Sequence, residues 1–142
     1  MSDEVQPGLS DQYRKASPWP LFVALGFVIS EVGIILGFFP VAVGGLLLFG
    51  GTVAGILTEA GYITRPGWSL GVFGVVLGAF GLATVGLNID PAALRIGVLL
   101  DVLLDPANPF VYRGSAIAVA GLILIAMGLA VVVVQLLDSE PT

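Results

Sequence analysis

Four runs of about twenty apolar residues dominate this chain, at positions 20–39, 41–58, 68–87 and 114–137. Each has the length of a helix that crosses a hydrocarbon layer roughly 30 Å thick, at about 1.5 Å rise per residue. No water reaches the backbone at that depth, so a spanning segment satisfies its own N–H and C=O groups as a helix. The expected architecture is an all-α integral membrane protein, a bundle of four transmembrane helices. Composition agrees: 57% of the 142 residues are hydrophobic and 11% charged, and the mean hydropathy is +1.06. That is too little polar surface for a water-facing domain. Residues 1–19 read as a polar leading segment and 138–142 as an acidic tail.

The connectors are short. Trp19 stands at the entry of the first span like an interfacial anchor, and Pro20 suits a first helical turn. Pro40 interrupts the apolar run, so spans one and two should form a tight antiparallel hairpin. The stretch "EAGYITRPG", residues 59–67, is a polar connector before span three. Between spans three and four lies "DPAALRIGVLLDVLLDP", residues 90–106, with Asp90 placed as an N-cap and Pro91 as a first helical residue. At 100° per residue it reads as an amphipathic helix over 91–104. Ala93, Ile96, Leu99, Leu100, Leu103 and Leu104 share one face, and Arg95, Asp101 and Asp105 lie on the other, mixed with Leu94, Val98 and Val102. Such a helix lies in the membrane interface or packs on another subunit. Four crossings leave both termini on one side of a cell membrane. Arg14, Lys15 and Arg65 on that side, against Arg95 and Arg113 on the other, favour the cytoplasm. With an acidic leading segment, no cleaved signal peptide is expected.

Small residues recur along the spans. Span one has Gly26, Ser30, Gly33 and Gly37; span two Gly44, Gly51 and Gly55. Span three has Gly67, Gly71, Gly74, Gly78 and Gly81; span four Gly114, Ala118, Gly121 and Gly128. Lipid tails are as apolar as leucine, so membrane helices associate by close packing along such seams. A compact bundle is the expectation.

One acid stands inside this apolar material: Glu31, in "FVISEVGIIL". With Gly26 as the origin of the helical wheel it falls beside Phe27, Ile35 and Phe38, away from the seam of span one. A lipid-facing charge would cost several kcal/mol. The side that carries Glu31 is therefore covered by another helix of the bundle or by another polypeptide. Thr52 is a candidate hydrogen-bond partner within the chain. Three roles are open to Glu31: a structural hydrogen bond, a proton path, or a contact to a partner subunit.

Much chemistry is excluded. The chain has no cysteine and no histidine, which removes disulfides, thiol catalysis and the usual ligands of zinc, haem and copper. A net charge of −5 and a pI near 4.2 argue against nucleic acid as a partner. No nucleophile–base pair, metal constellation or phosphate loop is visible, so no catalytic, cofactor-binding or metal-binding residue is assigned and the chain is not expected to be an enzyme by itself. Acid-rich, lysine-poor exposed segments suit a halophile, and equally arise where short tails happen to be acidic.

The segments "GLSDQYRKASPWP", residues 8–20, and "SEVGIILGFFPVAVGGLLLFGGTVAGILTEAGY", residues 30–62, resemble the haloarchaeal cox cluster proteins, small membrane proteins named for genes beside those of haem-copper terminal oxidases. The resemblance covers roughly the first half of the chain, and that family offers no catalytic residues to carry over. It implies an accessory subunit of a respiratory terminal oxidase, with large membrane subunits as partners beside the lipid bilayer. Haem and copper are then expected in those partners. Gln12, Tyr13, Arg14, Lys15 and Trp19 become candidates for docking along a partner, or for a solvated leader near lipid phosphates. A second reading, of another class, is a small homodimeric proton-coupled transporter that uses Glu31.

Overall fold

The computed structural model describes residues 17–93 and 95–140. Gln12, Tyr13, Arg14 and Lys15 lie outside the described residues. Four long helices carry the fold: α1 (Trp19–Leu36), α2 (Phe39–Glu59), α3 (Pro66–Asn88) and α5 (Pro109–Asp138), with a short α4 (Leu99–Leu103) before the last. All four long helices are long and apolar enough to cross a membrane. The protein is an all-α, four-helix membrane bundle.

Each long helix opens with proline in its first turn, where the missing N–H leaves no bond unmade. Pro40 therefore does not separate the first two spans; it lies inside the first turn of α2. The break comes earlier, at Gly37. Its φ of +71° is the left-handed conformation that ends a helix. Phe38 N–H donates to the Gly33 carbonyl at 2.8 Å and Gly37 N–H to that of Ile34 at 3.2 Å, the paired bonds of a Schellman cap. An added Cβ at Gly37 would stand 3.4 Å from the Pro106 side chain, not in a helix seam.

The connector between α3 and α5 departs from the single amphipathic helix expected over 91–104. Two isolated 3₁₀ turns, Pro91–Ala93 and Ile96–Val98, precede the five-residue α4. Arg95 between them is extended, at φ −102° and ψ +134°, and this interrupts any helix. Ile96 and Leu100 are exposed. The last helix also differs from expectation, starting at 109 instead of 114. The Asn108 side chain accepts from Val111 N–H and caps it. Arg113 therefore lies in the second turn of α5, not in a loop.

The helices associate as two close pairs, α1 with α2 and α3 with α5, and α2 bridges the pairs. In the first pair, Gly26, Ser30 and Gly33 of α1 meet Gly45, Ala42 and Phe49 of α2; a Cβ at Gly26 would stand 2.9 Å from the Gly45 carbonyl. In the second, Gly74, Gly78 and Gly81 meet Gly121, Ala118 and Gly114, and a Cβ at Gly74 would stand 2.7 Å from the Gly121 carbonyl. Gly128 packs on the backbone of Gly67 and Gly71. These seams follow the expected positions. Span two does not. Gly44 is exposed and faces open space, and a side chain at Gly51 would also meet nothing, whereas Gly45 and Gly50 make the contacts. Gly44 and Gly45 sit 100° apart on the helix, so choosing the wrong one rotates the whole seam. Gly55 packs under the Trp19 indole.

A small-residue core of Ala42, Val43, Ala116 and Ala120 joins α2 to α5. Phe39 meets the Tyr112 ring edge-on at 5.6 Å. At the other end, the Thr58 and Ser69 hydroxyls hydrogen-bond at 2.7 Å between α2 and α3. The start of α1 lies beside the end of α2, and the start of α3 beside the end of α5, so Trp19 and Val132 belong to one end of the bundle.

Candidate functional site

Glu31 stands five residues before the end of α1 and Arg113 four residues after the start of α5. At about 1.5 Å per residue, each is roughly one turn to a turn and a half inside the same end of the bundle. The chain brings them together across 82 positions: Arg113 Nη1 donates to Glu31 Oε1 and Nη2 to Oε2, both at 2.8 Å. Two parallel bonds between a planar guanidinium and a carboxylate form the bidentate fork, stronger than a neutral pair and fixed in orientation. It is the only salt bridge among the described residues. The side chains keep 42% exposure at Arg113 and 27% at Glu31, so the fork borders the outer surface and is not sealed in the core.

The sequence around each partner explains the meeting. Ser30 and Gly33 turn inward against α2, which leaves Glu31 on the flank of α1. On α5, the buried Val111, Tyr112, Gly114 and Ser115 hold the helix against its neighbours, and Arg113 emerges between them toward α1. The Tyr112 hydroxyl next to it is buried and, among the described residues, has no hydrogen-bond partner. Thus the polar partner of Glu31 comes from α5 of the same bundle, through the Arg113 side chain alone, and the rest of that side of α1 stays open.

Thr52 is not that partner. Ser30 packs on Gly45, so Glu31 stands level with residues 44–45 of α2, and Thr52 lies about two turns farther along. Its hydroxyl instead donates within α2, toward the carbonyls of Leu48 at 2.8 Å and Phe49 at 2.9 Å. Among the docking candidates, the Trp19 ring is packed over Gly55 of its own chain. Phe27 and Ile35, which share the Glu31 side of α1, are 56% and 76% exposed, and Phe38, which lies past the end of α1 beyond the Gly37 break, is 60% exposed.

Arg113 escaped the sequence reading because a hydropathy span ends at the first charge. The signal was present. Asn108-Pro109 is a cap followed by a first-turn proline, which extends the helix through Arg113 and brings it to the depth of Glu31.

No curated protein and no solved structure matches the chain. A family model described as a family of unknown function, DUF7541, matches residues 1–134. The match takes in α1, α2, α3 and most of α5, with both halves of the Glu31–Arg113 fork inside it. The chain belongs to this family, DUF7541.

Proposed function

We propose that this protein is a non-catalytic accessory subunit of a haem-copper terminal oxidase in a halophilic archaeon, packing against the large membrane subunits. The observation that supports a structural role is the state of Glu31. Both of its oxygens are held by one guanidinium in a fixed orientation, which joins α1 to α5 across 82 positions of the chain.

The choice of partner rests on the resemblance of residues 8–20 and 30–62 to the haloarchaeal cox cluster proteins. Haem and copper would be held by the partner subunits. The outer surface suits such a role: only 17% to 33% of the most apolar window of each span is buried within the chain. Lipid or partner helices cover the remainder, and the side bearing Phe27 and Ile35 is the proposed contact. The cytoplasmic placement of both termini gains support from Arg113. With that residue tied to Glu31 inside α5, Arg14, Lys15 and Arg65 stand against Arg95 alone.

Deletion of the gene in its own host tests the proposal. Membranes lacking the chain should lose the oxidase haem absorbance and oxygen consumption, and a plasmid copy should restore both. Unchanged haem absorbance and respiration would refute the accessory role.

A further inference from the structure

Two cavities run end to end along one stripe of α5. The first, about 390 Å³, is a groove between α3 and α5 walled by Gly71, Val72, Val75, Ile125, Leu129 and Val132. The second, about 340 Å³, lies beyond it at the end of the bundle that holds Trp19, among Thr64, Arg65, Val132, Gln135, Leu136 and Ser139. Val132 borders both. Ile125, Leu129, Val132, Leu136 and Ser139 follow one another at helical spacings of 4, 3, 4 and 3, so the two cavities share a face. From Ile125 to Ser139 the helix rises about 21 Å. That is roughly one leaflet of hydrocarbon, about 15 Å, with its headgroup layer added.

The chemistry changes along this track. Its inner part is apolar and open where Gly71 has no side chain, since an added Cβ there would meet nothing within 4 Å. Trp68 lines the groove and is 57% exposed, an indole at the depth where apolar lining gives way to polar. The outer part offers the Arg65 guanidinium and the Gln135 amide, while the Ser139 hydroxyl donates to the Leu136 carbonyl at 2.8 Å. Among the described residues Arg65 has no carboxylate partner. Asp138 and Glu140, at the same end, do not line this cavity.

We infer that the track is a binding site for one anionic phospholipid, with the phosphate at Arg65 and Gln135 and one hydrocarbon chain along the groove. A helix from another protein would fill the apolar part but bring no negative charge to Arg65 by virtue of being a helix. A phospholipid carries both halves in one molecule, at the separation the track provides. This inference is independent of the oxidase reading, because it needs no protein partner.

The test uses the purified full-length chain in dodecyl maltoside. Native mass spectrometry records adducts with added phosphatidylglycerol, phosphatidylcholine or inorganic phosphate. Phosphatidylglycerol should be retained at about five-fold lower concentration than phosphatidylcholine, the gain expected from one basic residue at a membrane surface. Arg65→Gln should abolish that preference while leaving the fold intact. Gly71→Leu places a side chain in the open groove and should weaken retention of both lipids, with helix content unchanged by circular dichroism. Equal retention of the two lipids by the wild type would overturn the inference, as would an unaltered preference in Arg65→Gln. Retention of inorganic phosphate as strong as that of phosphatidylglycerol would also overturn it, by showing an anion site that makes no use of the groove.

Discussion

A carboxylate within a transmembrane helix invites a functional reading, because its charged form is costly in hydrocarbon. Arg113 removes much of that cost for Glu31 by supplying two charge-assisted hydrogen bonds from a geometrically matched group. It also lowers its own, since a guanidinium left alone near lipid is equally unwelcome. The two charges therefore form one neutral clip that ties α1 to α5, helices that otherwise touch little. Each partner is worth more with the other present, and this is measurable. Glu31→Gln or Arg113→Gln alone should destabilise the bundle by about 2 kcal/mol, since each leaves a charge without its counterion. The double variant should lose less than the sum of the two, a coupling read from unfolding in detergent–SDS mixtures. Strictly additive losses would show that the fork contributes nothing.

Between the helices, backbone approach through glycine takes the place of large side chains. The α3–α5 seam at Gly74 and Gly121 leaves no room for a Cβ, while Gly44 on α2 faces open space. The two sites should respond oppositely. Gly74→Leu should cost about 1–3 kcal/mol or more by forcing α3 from α5. Gly44→Ala should be neutral or gain up to about 1 kcal/mol, from helix propensity alone. Both are read from the unfolding midpoint in detergent. Equal losses at the two positions would contradict the seam. Helix number and order, and the small-residue faces of α1, α3 and α5, were legible in the sequence, because hydropathy length and small-residue spacing are local signals; the pairing of α3 with α5 was not, since spacing on one helix does not name its partner. The rotation of α2 was not, since adjacent Gly44 and Gly45 both offer a small residue and only packing against Ser30 selects between them. The broken connector was not legible either: helical periodicity in 91–104 describes a pattern of side chains, and the extended Arg95 overrides it. Nor was the fork, because its halves are distant in sequence and one sat outside the hydropathy span. A cap signature read ahead of the charge count would have recovered Arg113.

Among the described residues, the charges outside the Glu31–Arg113 pair stand at or beyond the ends of the four long helices, and most of each helix is turned outward. Most of each span is apolar surface turned outward, by which the chain can associate. The described part contains no group of three or more acidic or other metal-ligating side chains that could hold an ion. The exterior is the part that a larger complex would use. The most direct test is to tag the chain in its own host, extract it in mild detergent and record what co-purifies. Large oxidase subunits in fixed proportion, with a visible haem spectrum this histidine-free and cysteine-free chain has no usual ligands to generate, are the predicted result. A colourless preparation containing only copies of this chain would contradict the account.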